Sequence, residues 1–197
     1  MNTRTYYSSI FTAILYGLGI TALTATYIQP IVSMAGFIGL SVLMIGGVFA
    51  CKADNNFLKI LGYHLITVPM GILIGGATKN LENQIVLQAA FITLLDVALF
   101  SVAAIIKPNL FEKLGPTLFW CLVALILVRI LGIFLPFDIG IVSYLAAALF
   151  SLYIGYDVWR ASTLEKSWNS VVDVAVNLYL DIINLFLNLL QILSDNK

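Results

Sequence analysis

The stretch NLYLDIINLFLNLLQ, residues 177–191, is apolar enough to lie in a membrane, yet it contains a carboxylate, three asparagines and a glutamine. On a helix these polar side chains fall on one face, because they recur every three or four residues. The pattern continues beyond both ends of the stretch, and we call the whole set the polar stripe: Asp173, Asn177, Asp181, Asn184, Asn188, Gln191 and Asp195. Because unsatisfied polar groups are costly in hydrocarbon, the stripe is predicted to face protein or water, which places its helix inside a bundle.

Composition indicates a membrane protein. Of the 197 residues, 61% are hydrophobic and 10% are charged, and the mean hydropathy is +1.01. A soluble domain carries about 25% charged residues, so the chain is predicted to be an all-α integral membrane protein whose partner is the lipid bilayer. The formal net charge of zero gives no sign of a nucleic-acid partner. Cys51 and Cys121 are expected to be small buried side chains rather than a disulfide, and the residues identify neither a cofactor nor a protein partner.

Seven apolar runs are long enough to cross the hydrocarbon, which takes about 20 helical residues. They cover roughly residues 8–28, 31–50, 57–77, 84–106, 116–135, 139–159 and 172–193. The connecting loops are short, so residues 1–197 are expected to form a single transmembrane domain. The first run is interpreted as a retained helix rather than a signal peptide, because no cleavage site of small residues follows it.

Charged residues lie near the middle of three of these runs. Asp181 divides the last one, and residues 182–194 are too few to span a membrane alone. Either Asp181 lies inside a spanning helix, or the segment is re-entrant. The same reasoning places Asp96 inside the fourth predicted helix and Arg129 inside the fifth.

The lysines and arginines of the loops indicate the orientation. With seven spans, seven of these residues fall on the N-terminal side of the membrane and two on the other side. The first set is Arg4, Lys52, Lys59, Lys107, Lys113, Arg160 and Lys166, and the second is Lys79 and Lys197. The N-terminus is therefore expected in the cytoplasm. A bacterial plasma membrane is the favoured compartment, with an endomembrane or viral setting as the alternative.

Asp181 is a candidate functional residue, because a carboxylate at this depth costs about 2.5–3.5 kcal/mol on insertion scales. Its expected partner is Asp157, which closes the sixth predicted helix, since a short loop makes the sixth and seventh helices antiparallel neighbours. If the two carboxyl groups meet, they would share one proton and titrate as a unit, which would make them a pH sensor. The alternative for Asp157 is a solvated carboxylate beside Arg160. The amide side chains of the polar stripe are expected either to hold neighbouring helices together or to line a pore. They are Asn177, Asn184, Asn188 and Gln191.

Two segments near the C-terminus carry a recognisable pattern. They are FSLYIGYD, residues 150–157, and VNLYLDIINLFLNLLQIL, residues 176–193. Both resemble the C-terminal signature of the Bax inhibitor-1 family, also called the transmembrane Bax inhibitor motif proteins. VLQAAFIT, residues 86–93, and FEKLGPTLFW, residues 111–120, resemble the middle of the same family.

This resemblance implies a seven-helix fold with the seventh helix at the centre. Bacterial members are similar to pH-sensitive calcium leak channels, in which two aspartates on helices 6 and 7 form a hydrogen-bonded pair that holds the pore closed. The matching positions are Asp157 and Asp181, which would also be the residues that bind calcium. In the family a basic residue at the end of helix 2 can act as a latch on these aspartates. The nearest match is Lys52, a lysine where the family pattern has arginine.

Asp96 and Arg129 stand at positions that are expected to be apolar in relatives. Because buried opposite charges usually pair, they are predicted to form an intramembrane ion pair, with separate pore-facing or snorkelling roles as the alternative. His64, the single histidine, is expected to be a packed, hydrogen-bonded residue. Gly71 and Gly75 are expected to let two helices approach closely.

Three functions follow from these features. The first is a calcium or cation leak channel gated by Asp157 and Asp181. Its flux is expected to rise with pH, because the pair loses its shared proton and the two carboxylates then repel each other or bind calcium between them. The second is a membrane-embedded regulator of cell death or ion homeostasis that acts through protein partners. The third is an intramembrane aspartyl protease. It is disfavoured because this helix reads LYLD where that class needs GxGD, so the chain is not expected to be an enzyme.

Overall fold

A computed structural model describes residues 1–30, 32–134 and 139–195, with no description of the side chains at 133, 134 and 139. Within these ranges the chain forms helices and no strands. They are α1 (Thr3–Tyr27), α2 (Met34–Cys51), α3 (Asn56–Thr78), α4 (Asn83–Ile106), α5 (Pro108–Glu112), α6 (Gly115–Phe134), α7 (Ile139–Thr163) and α8 (Trp168–Asp195). The predicted start of the second helix at Ile31, the predicted end of the fifth at Leu135 and Pro136, and Lys197 lie outside the described residues.

Seven of the described helices are long and apolar enough to cross a membrane: α1, α2, α3, α4, α6, α7 and α8. This confirms the all-α membrane fold and its seven spans. The remaining helix, α5, has five residues. The placement of all seven in one domain stays a prediction.

Capping side chains explain where several helices begin. Asn2 accepts a hydrogen bond from the backbone N–H of Thr5 at 2.7 Å, so α1 begins five residues before its predicted start at residue 8. Ser167 accepts from the backbone N–H of Ser170 at 3.2 Å, and α8 begins at Trp168 rather than at the predicted residue 172. Both capping residues are polar and lie outside an apolar run. Hydropathy identifies only the apolar run, so it does not predict where such a helix begins.

The chain divides into two compact units. The first comprises Met1–Leu81 and Leu164–Tyr179, and in it α3 packs against both α1 and α2. A Cβ atom added to Gly71 would lie 2.7 Å from the carbonyl oxygen of Thr21, and one added to Gly75 would lie 2.3 Å from that of Ile28. The two glycines therefore bring α3 against the backbone of α1, which confirms their predicted packing role.

The second unit comprises Glu82–Thr163 and Leu180–Lys197. Within it α7 packs against α4, α5 and α6. Helix α8 thus contributes its first twelve residues (168–179) to the first unit and the rest of its length to the second. The central position of this helix in the bundle stays a prediction.

Large apolar side chains are exposed along most of the spanning helices. Examples are Phe49 on α2, Ile105 on α4 and Trp120 on α6, each about 70% exposed. Exposed apolar surface on this scale would make a protein aggregate in water, whereas a bilayer covers it. The exposure therefore agrees with a multi-pass membrane protein.

Candidate functional site

Asp181 lies in the middle of a continuous helix. It follows Trp168 by 13 residues and precedes Asp195 by 14 in the 28-residue α8, which is about 42 Å long at 1.5 Å per residue. The side chain is 8% exposed, and its Oδ2 atom has no hydrogen-bond partner among the described residues. Because α8 is unbroken over this length, Asp181 belongs to a spanning helix and the re-entrant alternative is not needed.

Asp157 is buried on α7, at 5% exposure. It is therefore not the solvated helix-end carboxylate that was the alternative. Its carboxyl group lies close enough to that of Asp181 for the two to interact electrostatically. A hydrogen bond between two carboxyl groups needs a donor, so it would require one of them to carry a proton.

Two other side chains of the second unit face this pair. Arg160 lies one turn further along α7, with a nitrogen 3.8 Å from the Oδ1 atom of Asp157, and its side chain is 30% exposed. Tyr153 lies one turn earlier on α7, close enough to both carboxyl groups to interact electrostatically. The surroundings of the pair thus include a partly exposed cation and a phenol.

Arg129 departs from the prediction made for it. Its Nη2 atom donates to Oδ1 of Asn188 at 2.5 Å, and its Nη1 atom donates to Oε1 of Gln191 at 3.5 Å. In the described part of the chain, no carboxylate lies within 4.0 Å of this guanidinium. The predicted ion pair with Asp96 is therefore wrong, because α6 directs Arg129 toward the amides of α8.

Asp96 is partly buried on α4 and lies close to Ser151 of α7. The Ser151 hydroxyl donates its single proton to the backbone carbonyl of Ala147 at 2.9 Å. The Oδ2 atom of Asp96 has no hydrogen-bond partner in the ranges that the structure describes. Asp96 thus has a hydroxyl as its neighbour where the sequence predicted a cation.

Two amides of the polar stripe donate local hydrogen bonds. Asn184 donates to the carbonyl of Leu180 at 2.8 Å, and Asn188 donates to the carbonyl of Asn184 at 2.7 Å. Both bonds run along α8 itself and use the amide nitrogens, not the amide oxygens. Whether Asn177, Asn184, Asn188 and Gln191 line a pore stays a prediction.

Lys59 is a polar residue whose role the sequence did not reveal. It was assigned to a loop, but it lies in the first turn of α3, is 3% exposed and donates to Oδ1 of Asn169 on α8. The two residues also line a cavity of about 200 Å³ together with Lys52 and Asn177. The position of Lys59 inside the apolar run FLKILGYHL indicated that it could be buried. Its partner could not be predicted, because Asn169 is 110 positions away along the chain.

The predicted latch, Lys52, is an exposed residue that follows the last turn of α2. Within the first unit it lines the same cavity as Lys59. Its pairing with the aspartates stays a prediction.

Three smaller expectations have clear outcomes. His64 accepts or donates a 2.9 Å hydrogen bond with the Tyr16 hydroxyl and contacts the carbonyl of Ile60 at 2.8 Å, which confirms the hydrogen-bonded role. Both cysteines are free thiols, as expected, and Cys51 is buried. The expectation for Cys121 was wrong, because α6 leaves this side chain exposed.

Among the described residues, no group of three or more His, Cys, Asp and Glu side chains could hold a metal ion. Two carboxylates give a calcium ion fewer than the six to eight oxygen ligands it prefers. A calcium ion between Asp157 and Asp181 would therefore need water or further oxygens.

Comparison with known proteins places these features in a wider group. A family model described as "Inhibitor of apoptosis-promoting Bax1" matches residues 3–197. A Helicobacter pylori (strain J99) protein is 34% identical over 142 residues, which cover 71% of this chain and 61% of that protein. Protein LIFEGUARD 4 of Arabidopsis thaliana is 36% identical over 149 residues, covering 72% and 58% of the two chains.

A viral protein is similar over a larger share of both chains. The Golgi anti-apoptotic protein of vaccinia virus (strain Lister) is 32% identical over 179 residues, covering 86% of this chain and 72% of the viral one. By contrast, the aligned part spans only about three fifths of the Helicobacter and Arabidopsis relatives, at 61% and 58% of their length.

Proposed function

Because this chain belongs to the Bax inhibitor-1 family, we propose that it lets cations, calcium among them, leak across a membrane, and that Asp157 and Asp181 gate this leak by sharing a proton. The observation that supports the proposal is that two buried carboxyl groups on two spanning helices lie close enough to interact electrostatically. Family membership supplies the membrane setting. The transported ion and the gating role are the proposal.

The direction of the pH dependence follows from the proton that the contact needs. At low pH the pair holds this proton, and the hydrogen bond keeps α7 and the second half of α8 together. As the pH rises the proton is lost, both groups carry negative charge, and they repel each other. We therefore expect the contact to open, and cation flux to rise, with increasing pH.

Arg160 opposes the retention of the proton, because a cation beside Asp157 favours the ionised carboxylate. Its side chain is 30% exposed and the separation is 3.8 Å, so the interaction is screened and is worth about 0.2–1 kcal/mol. Repulsion between two buried carboxylates at hydrogen-bonding distance is larger than that. The pair, rather than Arg160, is thus expected to determine the pH response.

The test is calcium flux into dye-loaded liposomes that contain the purified protein, measured from pH 5 to pH 8. We expect wild-type flux to rise with pH. In Asp181→Asn and in Asp157→Asn the new amide can donate to the remaining carboxylate at every pH, so the dependence on pH should disappear. The matched control is Asp96→Asn, which removes a partly buried carboxyl group of a spanning helix that has a serine as its neighbour.

Flux that equals that of empty liposomes at every pH would contradict the leak function. A pH dependence that survives in both pair variants would leave a leak but reject the gate. A pH dependence lost equally in Asp96→Asn would show that the effect is not particular to the pair.

A second candidate function is the regulation of cell death through protein partners. It is favoured by the similarity to the vaccinia protein, which is named for an anti-apoptotic role and aligns with 86% of this chain. Expression of wild type and Asp181→Asn in cells treated with an inducer of apoptosis would separate the two functions. Protection by both forms would favour a partner-based role that is independent of the proposed gate.

A further inference from the structure

The C-terminal half of the polar stripe is faced by a positive charge. Arg129 of α6 donates one hydrogen bond to Asn188 at 2.5 Å and a longer one to Gln191 at 3.5 Å. Asn188 is 7% exposed, and its amide nitrogen already donates to the carbonyl of Asn184. The amide is therefore held with its oxygen toward the guanidinium.

The guanidinium of Arg129 is hydrogen-bonded to neutral amide groups rather than to an anion. In the ranges that the structure describes, no carboxylate lies within 4.0 Å of Arg129. Amide oxygens can solvate a guanidinium but cannot neutralise it. Arg129 therefore leaves a net positive charge beside this part of α8.

The same amide oxygens are the groups that a passing cation would use. Calcium and other hard cations replace their hydration water with carboxylate and amide oxygens. A side chain with a fixed positive charge opposes such an ion in two ways. It occupies the oxygens that the ion would bind, and it repels the ion electrostatically.

We propose that the guanidinium of Arg129 is a tethered cation that occupies the amide oxygens of Asn188 and Gln191 and thereby limits the passage of free cations along the C-terminal half of α8. This inference rests on the proposed leak function and adds a second determinant to it. Asp157 and Asp181 set the response to pH, whereas Arg129 sets how readily cations pass relative to anions.

The test compares Arg129→Gln, which removes the charge and keeps a hydrogen-bonding group, with Arg129→Lys, which keeps the charge. Calcium flux into liposomes is measured at pH 8, and the cation-to-anion permeability ratio is obtained from reversal potentials in planar bilayers. We expect Arg129→Gln to raise both quantities about tenfold, the effect of removing one nearby charge at intermediate dielectric. Arg129→Lys should stay within about twofold of wild type.

A purely structural role for Arg129 would change the flux of cations and anions alike, so an unchanged permeability ratio in Arg129→Gln would overturn the proposal. A lysine variant that behaves like the glutamine variant would also overturn it. If Arg129→Gln does not fold, Arg129→Met removes the charge, leaves the amide oxygens of Asn188 and Gln191 in place and carries the same test.

The two proposals fail in distinguishable ways. Wild-type flux whose pH dependence survives in Asp181→Asn rejects the gate and leaves the effect of Arg129 measurable. Flux that appears only in Arg129→Gln rejects the leak function of the wild-type protein and supports the barrier. If wild type shows no flux and the variants that remove the charge of Arg129 show none either, both proposals are overturned.

Discussion

At the scale of single residues, a buried hydrogen-bond network in the first unit joins the hydroxyl groups of Thr21 and Tyr179 to the backbone carbonyl of Thr67. The Thr21 hydroxyl lies 3.1 Å from the backbone carbonyl of Thr67 and 2.6 Å from the Tyr179 hydroxyl. A threonine hydroxyl has one proton, which the carbonyl of Thr67 requires, so Tyr179 must donate to Thr21. Both side chains are buried, at 3% exposure for Thr21 and 0% for Tyr179.

We expect Thr21→Val to destabilise the protein more than Tyr179→Phe does. The valine leaves the phenol of Tyr179 as a buried donor without a partner, which costs about 1–3 kcal/mol. The phenylalanine leaves Thr21 bonded to Thr67, and a single hydrogen bond between membrane helices is worth about 0.6 kcal/mol. The unfolding midpoints of the purified variants in denaturing detergent measure the difference, and the reverse order would contradict this direction of donation.

Single residues also show where reasoning from sequence succeeds. The position of Asp181 inside a spanning helix could be predicted, because the spacing of the polar stripe and the length of the apolar run depend only on local sequence. The hydrogen-bond partner of Arg129 could not be predicted in this way. Charge alone favours Asp96, whereas the rotation of α6 about its own axis selects Asn188, and that rotation depends on packing that no local pattern records.

At the scale of helices, α1 and α3 approach so closely that there is no room for a side chain between them. A Cβ atom on Gly75 would lie 2.3 Å from the carbonyl oxygen of Ile28 and 2.8 Å from that of Ala25. Both obstacles are backbone atoms, which cannot turn aside as a flexible side chain would. The small-residue spacing of Gly71 and Gly75 predicted close packing, but not which helix would be the neighbour.

We expect Gly75→Ala to cost about 1–3 kcal/mol of stability, because the added methyl group forces the two helices apart. The matched control is Gly46→Ala on α2, where an added Cβ meets no atom within 4 Å. There the higher helix propensity of alanine should leave stability unchanged or raise it by up to about 1 kcal/mol. Thermal unfolding in detergent measures both variants, and equal effects at the two positions would contradict the close contact.

At the scale of the whole molecule, seven spanning helices require the two ends of the chain to lie on opposite sides of the membrane. The number of spans followed from hydropathy alone, since each run is long, predominantly apolar and bounded by polar loops. The buried Lys59 could not be placed by the same reasoning, because its burial depends on Asn169, which approaches it only when distant helices pack. Long apolar segments are thus predictable one by one, whereas polar contacts between them depend on the fold.

We expect the N-terminal side to be cytoplasmic, since the loops on that side carry most of the basic residues. Cysteines introduced at the exposed positions Lys79 and Lys107 test this, in a background that lacks Cys51 and Cys121. A membrane-impermeant thiol reagent should label Lys79→Cys in intact cells and Lys107→Cys only after permeabilisation. The opposite pattern would mean that the protein is inserted the other way round.

The proposed hydrogen bond between Asp157 and Asp181 also has a stoichiometric consequence. A contact that needs one proton makes that proton a ligand of the protein, and binding equilibria are reciprocal. Whatever displaces the proton is itself weakened by acid, and each displacement releases a proton to the surroundings. Calcium entering the pair would therefore acidify an unbuffered solution, and the heat of its binding would change with the ionisation enthalpy of the buffer.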